Sequence, residues 1–358
     1  MLLPGAGFTR NFGGFLGPEM WSKILSYPLV QQQKEVRAQL MNGYGFNYEN
    51  YEGAYTFILS RPDAEFSPDA KNALKQAVKS AYDDLDKRMI EEVKGIYRNR
   101  SNYEVCMSDL EKFLKTIYPI SFGPCRKKQY FFTLNQDLWI ERTFGKTNSG
   151  FNWRYLGVDI SDWEKQKILK EQKDIRLKDK DEGFITLPKD DDLGGIKSKI
   201  AHENGPFYIK LHGSYGWLSA QSGQNDAMVI GSNKKEDIEK EPLLKWYSEL
   251  FQKEIDEGDK NLLIIGYGFR DEHINKILVK GIKNNGLKLY VINPTSPKEF
   301  KGELNDVPHL GMNSTTIWEA IYGYFPYRLS QIFPGGSLSY PQGTVLVREI
   351  YKAMGIES

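Results

Sequence analysis

Five short apolar runs, each stopped by a glycine, an asparagine or a histidine, constrain this chain more than any other feature. Met1 to Leu3 runs into Pro4-Gly5, Tyr130 to Leu134 into Asn135, and Phe207 to Leu211 into His212-Gly213. Asn261 to Ile265 runs into Gly266-Tyr267-Gly268, and Leu287 to Ile292 into Asn293-Pro294. The runs are rich in β-branched or aromatic residues and apolar on both faces, the condition of parallel strands covered by helices. The expected fold class is therefore α/β, a Rossmann-like parallel sheet. Sheets of this kind take ligands at the carboxyl ends of their strands, where this chain places its polar and glycine residues.

The chain has 358 residues, enough for two domains or one enlarged α/β domain. About 125 residues separate the first two runs, far more than an ordinary crossover needs. Ser67-Pro68-Asp69 is a helix start, with a side-chain cap, a proline at the first helical position and an early carboxylate. Leu74, Val78, Ala81, Leu85, Met89, Val93 and Ile96 then mark one apolar stripe of a helix ending near Tyr97. Leu110, Phe113, Leu114 and Ile117 mark a second helix that stops before Pro119. This divides the chain into a Rossmann-like sheet domain (residues 1–33 plus 125–300), an inserted helical module (34–124) and a C-terminal tail (301–358). Trp318, Tyr322, Tyr324, Phe325 and Tyr327 make the tail aromatic, and it is expected as a closing helix that packs on the sheet or on another subunit. Asp162 to Asp192 holds 18 charged residues in 31, eight basic and ten acidic, which reads as a solvated helix or loop.

Composition narrows the partners. Lys plus Arg is 48 and Asp plus Glu is 47, so the net charge of +1 gives no reason to expect nucleic-acid or acidic-membrane binding. Cys106 and Cys125 are the only cysteines, too few for a four-ligand zinc ribbon or a disulfide framework. They read as small apolar residues of a reducing compartment or as one redox pair. With neither a secretory leader nor an apolar stretch of spanning length, the expected location is cytoplasmic.

Five motifs at the strand ends carry chemistry. Gly5-Ala6-Gly7-Phe8-Thr9 allows backbone approach to a pyrophosphate or simply makes a tight strand–helix turn. Asn135-Gln136-Asp137 puts an amide and a carboxylate past one strand end, where they could face a cleft or cap a helix. Lys210-Leu211-His212-Gly213-Ser214 offers an accessible imidazole or a structural one. Gly266-Tyr267-Gly268-Phe269-Arg270-Asp271-Glu272-His273-Ile274 again permits close approach, and Val291-Ile292-Asn293 ends in an amide that could meet a ribose.

In this order, GAGFT, NQD, KLHGS, GYGFRDEHI and VIN resemble the sirtuin-like NAD-consuming fold, in its prokaryotic antiviral-defence branch rather than among the protein deacylases. Gly14 through Trp21 (GFLGPEMW) is similar to that branch too. The likeness covers residues 1 to about 30 and 125 to about 300. The resemblance implies NAD as substrate, with no metal: Asn135 and His212 are the catalytic pair, Asn135 placing water or a ribose hydroxyl and His212 acting as base or ribose orienter. It implies that Asp137 binds the nicotinamide carboxamide, that Gly5, Ala6, Gly7, Phe8 and Thr9 hold the pyrophosphate, and that Gly266, Gly268 and Asn293 line the adenosine side. The zinc ribbon of deacylating sirtuins and their acidic-arginine stretch after the glycine loop are both missing.

The activity so implied is an NAD+ hydrolase releasing nicotinamide and ADP-ribose. Rival readings are a hydride-transferring oxidoreductase, a non-catalytic NAD or ADP-ribose sensor, and an NAD-dependent deacylase. The defence branch further implies restraint by self-association and by a separate protein, a HerA-type ATPase first and a short Argonaute-type or phage-protein trigger second.

Overall fold

The computed structural model describes residues 1–42, 51–97, 104–118, 128–144, 153–158, 185–201, 206–221, 227–335 and 342–356. The described strands are β1 (Leu2–Pro4), β2 (Gln129–Thr133), β3 (Arg154–Tyr155), β4 (Ile185–Thr186), β5 (Pro206–Lys210), β6 (Trp217–Leu218), β7 (Asn261–Ile265), β8 (Lys288–Ile292) and β9 (Ile321–Phe325). The helices of the first half are α1 (Ala6–Thr9), α2 (Gly17–Leu25), α3 (Pro28–Gln32), α4 (Lys34–Asn42), α5 (Tyr51–Ser60), α6 (Pro68–Tyr97), α7 (Met107–Ile117) and α8 (Trp139–Phe144). Those of the second are α9 (Asp190–Ala201), α10 (Lys234–Lys240), α11 (Pro242–Asp256), α12 (Glu272–Asn285), α13 (Pro297–Asn305), α14 (Asn313–Glu319), α15 (Leu329–Ile332) and α16 (Gln342–Met354).

Seven strands form one sheet in the order β3-β5-β2-β1-β7-β8-β9, and every pairing in it is parallel. β4 and β6 make a separate small ladder. The central strands are buried on both faces because successive residues point to opposite sides. Leu2, Phe131 and Leu263 enter one core with Phe8, Trp139 and the helical module. Leu3, Phe132 and Ile264 enter the other with Phe251, Leu278 and Phe300. Each such side chain, removed fully from water, contributes about 1.5–3 kcal/mol. From β1 the chain builds outward through β2 and β5, then returns to β7 on the other side of β1 and builds the opposite way. The order reverses between β1 and β7, and ligand crevices of open α/β sheets form at such a reversal.

The helical module is built as its pattern predicts. The Ser67 hydroxyl accepts from the Ala70 amide at 3.1 Å, starting α6, and Leu74, Val78, Ala81, Leu85 and Met89 are buried along it. Leu110, Phe113 and Leu114 of α7 are buried too, whereas Cys106 before it is half-buried with its thiol 3.2 Å from the Ser108 hydroxyl. α6 packs against α2 and α3 as well as α4 and α5, so the module and the residues before it share one core. Most of the charged 162–192 segment and Cys125 lie outside the described residues; Asp190, Asp191 and Asp192 form the acidic first turn of α9.

The tail closes in helices that pack on the sheet, as expected, but its aromatic run departs from the expectation by forming a strand. It adds an edge strand, β9, to β8, followed by α15 and α16. A glycine in the middle of IYGYF reads as a strand breaker, but a Cβ at Gly323 would lie 2.8 Å from the Tyr290 ring, which fills that space. Phe325 is buried, while Tyr322 is exposed beneath Lys288.

Candidate functional site

Two glycine turns meet at the reversal point. The Gly5 amide donates to the Ile265 carbonyl at 3.0 Å and the Gly7 amide to the Gly266 carbonyl at 2.9 Å. A Cβ on Gly5 would stand 2.8 Å from the Gly266 oxygen, one on Gly7 2.8 Å from the Gly266 Cα, and one on Gly266 2.5 Å from the Gly7 carbonyl carbon. These three glycines are therefore demanded by each other. Gly5 and Gly7 spend their amides on the neighbouring turn, so neither amide is free for the pyrophosphate that the resemblance gives these residues to hold. The helix start expected to bind that group is also short: α1 has four residues before a 3-10 turn, Arg10–Phe12. Phe8 is corrected from ligand contact to core, with its ring 5.4 Å from that of Trp139. Ala6 is exposed at the tip of the loop, and Gly268 is exposed with no backbone near the place of a Cβ.

On one side of the loop stand the amide and the imidazole. Thr133 of β2 pairs with Lys210 of β5, so Asn135 and His212 each lie two residues past partners in register. The Asn135 amide donates to the Gly5 carbonyl at 3.0 Å and to the Thr9 hydroxyl at 3.3 Å, which ties it to the glycine loop. Asp137 caps α8 by accepting from the Trp139 amide at 3.0 Å, as the capping reading anticipates. Burial raises its pKa, against the pull of Lys210. Lys210 is itself buried, 2.9 Å from Glu141. Gln136 bridges outward, donating to the Val229 carbonyl and accepting from the Tyr82 hydroxyl of α6.

His212 is 3% exposed, which corrects the expectation of an accessible imidazole. Its backbone is fixed by Gly213, at φ +70° with the Ala227 oxygen where a Cβ would be, and by the Val229 amide donating to the His212 carbonyl at 2.9 Å. Its Nε2 lies 3.0 Å from Nε2 of His273 and 3.8 Å from Asp271. Burial pushes the His212 pKa well down, outweighing the Asp271 charge, and His273 falls to about 4 by the same cause. Both rings are neutral near pH 7. Behind them Lys234 makes 2.8 Å ion pairs to Asp271 and to Glu52 of α5. Burial opposes the charge on Asp271, but Lys234 and His212 hold its pKa well below the usual carboxylate range. Burial acts in the same sense on Glu52 and prevails there, raising its pKa in spite of Lys234. His273, Asp271, Lys234, Glu52 and Gln136 complete this site without having been singled out as site residues. The first two sit inside the GYGFRDEHI motif. Lys234 and Glu52 come from a surface-like charged helix and the helical module, where no spacing marks them.

On the other side of the loop a pocket of about 580 Å³ opens, within the usual range for small-molecule sites. Its lining includes Gly7 and Gly266, Ile292 and Pro294 at the end of β8, and three arginines, Arg10, Arg88 and Arg328. Arg10 is paired with Glu19 at 2.9 Å. Asn293, expected beside an adenosine ribose, instead closes a turn: its Oδ1 accepts from the Thr295 amide and hydroxyl at 3.0 and 2.9 Å. Among the described residues no cluster of three or more His, Cys, Asp or Glu side chains could hold a metal ion, and no helix is long and apolar enough to cross a membrane.

A wholly parallel sheet with two glycine turns at its reversal point and an Asn/His pair on adjacent strand ends defines a nucleotide-handling α/β protein. The family model of the SIR2-like domain matches residues 129–308, and the chain belongs to that family. Members commonly act on NAD, so this is an NAD-related protein. No curated protein matches the chain.

Proposed function

We propose that this protein cleaves the bond between nicotinamide and ribose in NAD+, releasing nicotinamide and ADP-ribose, and that it acts in the cytoplasm. The observation that carries the reading is the tether of the Asn135 amide to Gly5 and Thr9 with His212 on the next strand end. In this reading the amide orients water and the imidazole is the base, beside the loop from which the pocket with its three arginines opens on the other side. The residues fit a dinucleotide: exposed Ala6 and Gly268 leave room for close backbone approach, and guanidinium groups suit phosphate oxygens.

The leaving group departs as a neutral pyridine, so the protein has to hold the ribose, stabilise oxocarbenium-like charge and place a water. Asn135 orients that water or a ribose hydroxyl. His212, neutral at pH 7, accepts the proton. Asp137, whose carboxylate accepts from the Trp139 amide, binds the nicotinamide carboxamide in this reading. Purified protein incubated with NAD+ should yield nicotinamide and ADP-ribose in equal amounts. Asn135→Ala and His212→Ala should each lower that release about a hundredfold, as for loss of a positioned base. Near-wild-type release by both variants refutes the assignment.

We further propose that the activity serves antiphage defence and is restrained by self-association and a separate protein, with a HerA-type ATPase as the first partner to test and a short Argonaute-type protein as the second. The exposed Tyr322 on the β9 edge and the exposed Met312 support a contact surface there.

A further inference from the structure

In this arrangement the His212 ring is closed off from a substrate: it is 3% exposed, and its Nε2 faces Nε2 of His273 at 3.0 Å. One of the two nitrogens must donate and the other accept; with the His212 Nε2 as the acceptor that a base has to offer, the His273 Nε2–H is the donor to it. His273 thus occupies the one lone pair a base needs. Its position is fixed from outside the sheet. It lies two residues past Asp271, whose carboxylate is pinned by Lys234, and Lys234 is pinned by Glu52 of α5, each at 2.8 Å. A second clamp holds the same segment, since the Thr56 hydroxyl of α5 accepts from the Ser232 amide at 2.8 Å.

We propose that His273 is a gate on His212: its Nε2–H takes the hydrogen-bond position that a ribose hydroxyl or the attacking water must occupy, and the helical module holds it there through Glu52, Lys234 and Asp271. This rests on the hydrolase reading for its consequence, while the closure of His212 has a readout of its own. Opening requires the start of α12 to move away from β5, which displacement of α5 would permit. Because a closed fraction taxes substrate binding, freeing the gate should act mainly on KM.

The test compares wild type with His273→Ala, His273→Phe and Glu52→Gln. Nicotinamide release is measured across pH, and diethyl pyrocarbonate modification of His212 is followed by peptide mass mapping. His273→Ala should raise kcat/KM several-fold, carried mostly by KM, and speed modification of His212 several-fold. It should also move the acid limb of the pH profile upward, because His273 and burial both depress His212 while Asp271 raises it and Lys234 lowers it. His273→Phe keeps the bulk but has no N–H to give; it should speed modification less than alanine does, and it stands in if the alanine variant does not fold. Glu52→Gln should accelerate both readouts by loosening Lys234. Unchanged His212 modification in the His273 variants, or kcat/KM at or below wild type, overturns the gate. No response to Glu52→Gln overturns the part assigned to the helical module. If no form releases nicotinamide yet His212 becomes reactive in His273→Ala, the hydrolase reading falls and the closure stands.

Discussion

His212 and His273 show how residue type and burial pull apart. Both are imidazoles with an ordinary value near 6.5, and both are held neutral by burial. The folded protein therefore binds fewer protons than the unfolded chain wherever the unfolded histidines are charged. Stability contributed by their neutrality is fully present above pH 6.5 and is lost as pH falls through the folded value of His273, about 4. Thermal melts at pH 7, 5.5 and 4.5 should show a falling midpoint, and His273→Phe should flatten the fall; an equal slope in that variant would remove His273 from the account. The same residues mark what the sequence could tell. Asn135 and His212 are legible because each follows an apolar run that must be a buried strand, and a polar residue there lies on the ligand edge. The burial of His212 is not legible, since it depends on α5, α10 and α12 closing over it from distant parts of the chain.

At the scale of elements, the glycine turns separate two roles that look alike in sequence. Gly266 faces Gly7 with no room for a methyl group and has φ +62°, whereas a Cβ on Gly268 would meet only the Arg270 side chain at 3.9 Å. Gly266→Ala should cost at least a few kcal/mol through overpacking and left-handed strain, read as a large loss of chemical-denaturation midpoint. Gly268→Ala should leave that midpoint unchanged within about 0.5 kcal/mol; any loss of NAD+ turnover then belongs to the ligand. Helix α6 reaches the strand ends through the Tyr82 hydroxyl on Gln136 and through Asp83, which accepts from the Tyr215 hydroxyl. Tyr82→Phe leaves buried Gln136 without the donor to its Oε1, which should cost about 1–3 kcal/mol. It should also lower turnover, because Gln136 lies between Asn135 and Asp137; wild-type turnover with the full stability loss would confine α6 to a structural part. The five apolar runs correspond to β1, β2, β5, β7 and β8, all parallel. β3, β4 and β6 escaped notice because two residues carry no period, and β9 because Gly323 masks a strand whose neighbour supplies the missing bulk.

At the scale of the whole molecule, the two cores lie on opposite faces of one sheet, and only one of them includes the helical module. The module therefore covers the face from which Tyr82, Glu52 and Arg88 reach the strand ends, and a partner that grips it would act on both sides of the glycine loop. Light scattering of the purified chain, with and without a candidate ATPase partner, should show self-association and a change in nicotinamide release on mixing. A monomer that turns over NAD+ fully by itself, and responds to no partner, would end the idea of control by assembly.

The placing of β1 in the middle of the sheet has a consequence for how the molecule comes into being. Its carbonyl and amide partners on β7 lie about 260 residues further along the chain. At roughly 10 residues per second, a ribosome needs about half a minute to supply them. Until then the turn at Gly5 to Gly7 has nothing to lean on, because its neighbour Gly266 has not been made. Contacts of such long sequence separation also form slowly once both partners exist. The nascent chain can thus collect its helices and outer strands while the nucleotide cleft stays unassembled, so that competence arrives only as a late step of folding.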